Sequence, residues 1–167
     1  MKKIVLLLTI ALSFALSTSA MSLKEAYNAL SNVPNISVKS EYNNPILGLT
    51  VNGELAMASN LNESQILESG NAVLTILNQV PLTQMINGGN NNLVAAFVYA
   101  SPESTNGIYE VLMVLMSGRD GDITIIYGGI DKAARNALQN APMTMEGDAI
   151  KIHATLPNGD TYNIQAN

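Results

Sequence analysis

The chain has 167 residues, one histidine, no cysteine and no tryptophan, and a net charge of −5. Without thiols it can form neither a disulfide nor a thiolate metal site, and its excess of acid disfavours binding to nucleic acid or anionic lipid. The length fits one domain with a sizeable core.

Residues 1–20, MKKIVLLLTIALSFALSTSA, read as a secretory signal peptide. Two lysines precede an apolar stretch from Ile4 to Leu16, and Thr18 and Ala20 are placed for signal peptidase. The apolar run falls short of the roughly 20 residues of a membrane span, and no later run of that length lacks polar breaks. Cleavage after Ala20 leaves residues 21–167 as a single α+β domain with 6 basic and 13 acidic side chains, a net charge of −7. No cysteine follows the leader to carry a lipid, so the expected location is periplasmic or secreted.

Ser22 and Glu25 form a capping box, which predicts a helix from about residue 22, with Ala26, Leu30 and Val33 at helical spacing and Pro34 ending the run. Ile36 and Val38 alternate with Ser37 and Lys39, the pattern of a half-buried strand. In ILGLTVNGELAMA, Asn52-Gly53 has the composition of a type I′ turn, so a hairpin is expected there. Asn62 with Gln65 is a second capping box, and Ile66, Gly70, Val73, Leu77 and Val80 trace one stripe of a helix over 63–79. Gly70 costs about 1 kcal/mol against alanine in a helix, so it either admits a close neighbour or splits the helix. Pro81 stops that helix, a short turn is expected over 82–86, and NGGNNN at 87–92 reads as loop.

The second half is dense in β-formers. Strands are predicted over 93–100, 108–117 and 123–128, separated by SPESTNG and by GRDGD, where Asp120-Gly121 signals another hairpin. Leu112, Val114 and Met116 alternate with Val111, Met113 and Leu115, so both faces are apolar and the sheet needs two coverings. The last hairpin can be read in register. A loop of three residues, Pro157-Asn158-Gly159, sets Ala154 opposite Tyr162, Ile152 opposite Ile164 and Ile150 opposite Ala166. A polar row, Lys151 with Gln165, His153 with Asn163 and Thr155 with Thr161, lies on the other face.

Gly128-Gly129 lies between a strand and a helix, where phosphate loops are found. A Rossmann fingerprint needs three glycines at fixed spacing, and a P-loop needs a lysine and a hydroxyl after its last glycine; neither pattern is present. Asp131 caps the following helix, over 131–140, and sets a negative charge where a phosphate would lie. The glycines are therefore expected to turn the chain, and Ile130, Ala133, Ala134, Ala137, Leu138 and Ala141 to pack the helix on a sheet.

No catalytic, cofactor-binding or metal-binding residue is assigned. His153 has no serine in a nucleophile-elbow context to serve, and is expected as a solvated residue beside Asn163. Asp120 and Asp122 lack the further ligands of an EF-hand loop, so a turn accounts for them. Glu63, Glu68, Glu103 and Glu110 are scattered, and Met113 and Met116 fit core packing. Asn35-Ile36-Ser37 and Asn62-Glu63-Ser64 match the glycosylation sequon, to which a short bacterial-type leader gives little weight.

The lysine-lysine leader, the helix LKEAYNALSNVPNISV and the run GDITIIYGGID before a late helix resemble those of small exported Bacteroidetes proteins of unknown function. The resemblance covers mainly residues 22–42 and 108–140. It implies an exported α+β domain in a Gram-negative cell and brings no catalytic residues.

The expected fold is α+β, a mostly antiparallel sheet with about three packed helices. The expected function is a non-enzymatic binding or protein-interaction module of the cell envelope. The alternative is a carboxylate-dependent hydrolase acting on an envelope or dietary polymer. The doubly apolar sheet further predicts a homodimer through that sheet or its edge, unless the hairpin ILGLTVNGELAMA folds over it.

Overall fold

The computed structural model describes residues 21–44, 49–80, 84–90, 94–117, 122–139, 143–146, 149–155 and 161–166. The expected leader, the expected turn at Asp120-Gly121 and the expected three-residue loop 157–159 lie outside the described residues. Helix α1 spans Leu23–Leu30. Strands β1 (Ile36–Asn44) and β2 (Leu49–Met57) follow, and then α2 (Glu63–Leu77). The chain continues through β3 (Gln84–Asn90), β4 (Val94–Ala100), β5 (Tyr109–Ser117) and β6 (Ile123–Ile130). It ends with α3 (Lys132–Gln139), β7 (Met143–Glu146), β8 (Ala149–Thr155) and β9 (Thr161–Ala166). Six strands form one antiparallel sheet in the order β1-β2-β6-β5-β4-β3, and β7-β8-β9 form a second. The α+β expectation, mostly sheet with three helices, is what the chain adopts.

Both predicted capping boxes are made. Ser22 Oγ accepts from the Glu25 amide while the Glu25 carboxylate accepts from the Ser22 amide, and Asn62 and Gln65 do the same for α2. Each box satisfies two of the orphan N–H groups at a helix start. Gly70 is buried within a continuous α2, so it does not split the helix.

One face of the large sheet carries Leu55, Phe97, Tyr99, Leu112, Val114, Met116, Ile123, Ile125 and Tyr127. It packs against Leu23, Ala26 and Leu30 of α1 and Val73, Leu74 and Leu77 of α2. Fully burying a side chain of this size contributes about 1.5–3 kcal/mol. On the opposite face Val98, Ala100, Val111, Met113, Leu115 and Ile126 are also buried, together with Ala134 and Leu138 of α3. There α3 packs against β8, and β8 reaches β5. The two coverings expected for a doubly apolar sheet are thus supplied within the chain, by α1 and α2 on one side and by α3 with the small sheet on the other.

Four local expectations are corrected. Asn52-Gly53 is no turn: β2 runs straight through it, pairing with β1 and β6, with a register shift between Val51 and Gly53. Residues 49–57 of the expected hairpin therefore extend the sheet as β2 and do not fold over its face. Gly128-Gly129 is no turn either, because β6 continues to Ile130 and pairs Gly128 with Val51 and Val111, and Gly129 with Thr50 and Glu110. The polar stretch at 87–90, read as loop, belongs to β3, as do residues 84–86 of the expected turn; Asn87 pairs with Phe97 and Gly89 with Ala95. A strong partner strand overrides weak local β-propensity here. Strand β7 was not foreseen, and it joins the terminal hairpin in a separate sheet.

The register of that hairpin is as read from the sequence, from Ile150 opposite Ala166 to Thr155 opposite Thr161. A true type I′ hairpin turn is found at Asn106-Gly107, where Asn106 (φ 53°) and Gly107 (φ 79°) lie between Thr105 and Ile108, which exchange two backbone hydrogen bonds.

Candidate functional site

The densest grouping of functional side chains lies at the end of the sheet where β2, the start of β5 and the end of β6 meet α1. The buried stripe Leu23, Ala26 and Leu30 fixes the roll of α1 and leaves Tyr27 on the flank of that stripe, directed at the sheet. Its ring stacks on Tyr127 of β6, with centroids 5.0 Å apart and planes 23° from parallel. A Cβ at Gly53, directly below, would collide with the Tyr27 hydroxyl and lie 2.7 Å from Tyr27 Cζ. Gly53 is thus required by the close approach of a helix side chain to the strand, not by a turn. At Gly129 a Cβ would lie 2.5 Å from Ile108 Cγ2, so Ile108, although 45% exposed, occupies that space.

Tyr127 carries the polar link of the group. Its hydroxyl donates to Glu110 Oε1 at 2.6 Å, across adjacent strands. Burial pushes the Tyr127 hydroxyl well above the ordinary tyrosine range, and the Glu110 hydrogen bond and charge push the same way. Near neutral pH this hydroxyl is therefore a fixed donor to Glu110. Glu110 is held in turn by Ser101: the Ser101 hydroxyl accepts from the Glu110 amide at 2.9 Å, and the Ser101 amide donates to the Glu110 carbonyl at 2.9 Å. On the other face of β5, Arg135 of α3 lies 5.0 Å from the ring centroid of Tyr109 and donates through Nε to the Ser101 carbonyl at 3.3 Å. Ser101 thereby joins the two faces of the sheet at one point. What this arrangement does chemically is hold α1, β5, β6 and α3 in fixed relation through one tyrosine–carboxylate bond, one aromatic stack and one cation–π contact.

The candidates weighed from sequence are dispersed. Gly128 and Gly129 are paired strand residues, and the amide of Ala134 is taken by Asp131 Oδ1 at 2.8 Å, the cap expected of that aspartate. His153 lies opposite Asn163 as expected, but it is half-buried and engaged with a neighbour, not simply solvated. Glu63, Glu68 and Glu103 are exposed on α2 and on the β4–β5 loop, while Glu54 pairs with Lys39 at 3.3 Å. Met113 and Met116 are core residues, 0% and 2% exposed. In the first sequon Asn35 holds a left-handed backbone (φ 65°) and donates to Ser69 Oγ at 3.2 Å; in the second Asn62 caps α2. Buried Ser69 completes that link by donating to the Pro34 carbonyl at 2.7 Å. Among the described residues no three His, Asp or Glu side chains gather as a metal site, and no helix is long and apolar enough to cross a membrane.

The tyrosine pair and its glycine floor were missed from sequence because Tyr27, Gly53, Glu110 and Tyr127 are far apart in the chain. A glycine inside an alternating strand pattern is the available signal, and the asparagine before it gives the pair the local composition of a turn instead. Compared with known protein families, with characterised proteins and with solved structures, the chain shows no match.

Proposed function

We propose that the chain works, after export, as a non-enzymatic binding or protein-interaction module of the cell envelope. The observation that carries this reading is the use made of Glu110. It is the half-buried carboxylate of the grouping at the sheet end, and it is committed to the Tyr127 hydroxyl within a structural tie. The exposed acids Glu25 and Asp131 likewise act as helix caps, and Glu54 as a partner of Lys39. Val38, 55% exposed on the edge strand β1 between exposed Ser37 and Lys39, offers an apolar contact at the sheet edge. Register shifts on both sides of Ser40 and the neighbouring lysine disfavour continuation of the sheet at this edge, so side-chain contact is the favoured mode there.

The test is affinity capture from envelope extract with the mature chain as bait, alongside incubation of the chain with the polymers of that extract. A protein or polymer retained intact, and lost with Val38→Asp, supports the module. New polymer ends that appear with the natural chain and vanish with Glu110→Gln would replace it with the hydrolase.

A further inference from the structure

The backbone nitrogen of Met21 donates to the carbonyl oxygen of Gln79 at 2.9 Å, and the Met21 side chain packs against the core. Gln79 comes one residue after Asn78, the C-terminal cap of α2, whose last turn holds no basic residue. That end carries the negative pole of a 15-residue helix without a counter-charge. Met21 also precedes Ser22, the cap of α1, so the positive pole of that shorter helix is close by. There, however, the Glu25 carboxylate accepts from the Ser22 amide at 2.8 Å, and a full negative charge outweighs the partial positive one. Lys24 and Glu25 are the ionisable side chains near Met21 on α1, and residues 69–80 of the α2 side contain none.

We propose that removal of the leader between Ala20 and Met21 completes the fold as well as releasing the chain. Hydrolysis breaks the Ala20–Met21 peptide bond with one water. The carboxylate leaves on Ala20, and the Met21 nitrogen becomes an α-ammonium. That cation is formed at a nitrogen already bonded to Gln79, between the negative end of α2 and the Glu25 carboxylate. It clamps the start of α1 to the end of α2, and the mature domain is more stable than the precursor, which suits a chain that crosses a membrane before folding. This inference rests on the export reading above.

Two forms of the chain 21–167 test it, one with a free amino terminus and one acetylated at Met21. Both keep an N–H donor for Gln79 and differ in charge. At about pH 6, below the ordinary α-amino range of about 7.7–8.0, the free form should melt about 2–4 °C higher in low salt. The gap should shrink in about 1 M salt. Equal melting temperatures in low salt would overturn the clamp. N-terminal sequencing of the protein recovered from cells separates the two readings. Met21 as first residue supports both, and a cut elsewhere in an exported chain removes the clamp alone. Retention of residues 1–20 on a cytoplasmic product removes the export reading itself.

Discussion

The hydroxyl of Tyr27 fills the space that a side chain on Gly53 would need. Gly53→Ala should therefore destabilise the domain by about 1–3 kcal/mol, despite the better strand propensity of alanine. In a Tyr27→Ala background the same change should be neutral or stabilising. Urea unfolding of the four proteins in this cycle measures the coupling; an unchanged penalty in the second background would mean that Tyr27 is not its cause.

Gly129→Ala provides the contrast. The atom in its way, Ile108 Cγ2, ends a half-exposed side chain that can rotate aside. The loss should stay below about 1 kcal/mol and disappear with Ile108→Ala. Thermal melts of the single and double variants check this, and a loss as large as that of Gly53→Ala would show that Ile108 is locked in place.

Alkaline unfolding should follow the buried tyrosines. Burial pushes the Tyr99 hydroxyl up to about 12, and Tyr127 is shifted in the same direction. Both bind their protons more tightly folded than unfolded, where the ordinary value is about 10. Their contribution is fully present below about pH 10 and is lost as pH rises toward 12. Denaturant midpoints across that range, read with tyrosinate absorbance, should fall more gently in Tyr99→Phe; an unchanged slope would assign the loss elsewhere.

On α3, Ala134 is 1% exposed, Ala137 half-buried and Gln139 exposed. Aspartate at position 134 should cost more than about 3 kcal/mol or prevent folding, at 137 an intermediate amount, and at 139 within about 0.5 kcal/mol. Circular dichroism melts that ranked Ala137→Asp above Ala134→Asp would place a different face of the helix on the sheet.

The features that local chemistry determines were legible in the sequence. Ser22 and Glu25, or Asn62 and Gln65, form caps because their partners are three residues away, and Pro34 follows α1 closely enough to end it. The register of β8 with β9 follows from alternation on two strands joined by a short loop. The doubly apolar β5 announced that both sheet faces are covered, and both are. Only the tertiary structure decided what covers them, because the docking of β8 on β5 and of α1 and α2 on the other face depends on contacts distant in sequence. The glycines show the division most clearly. At Asn106-Gly107 the dipeptide turns the chain because nothing outside the hairpin competes with its positive φ angles. At Asn52-Gly53 the same dipeptide is strand, because β6 supplies backbone partners and Tyr27 takes the room of the missing Cβ.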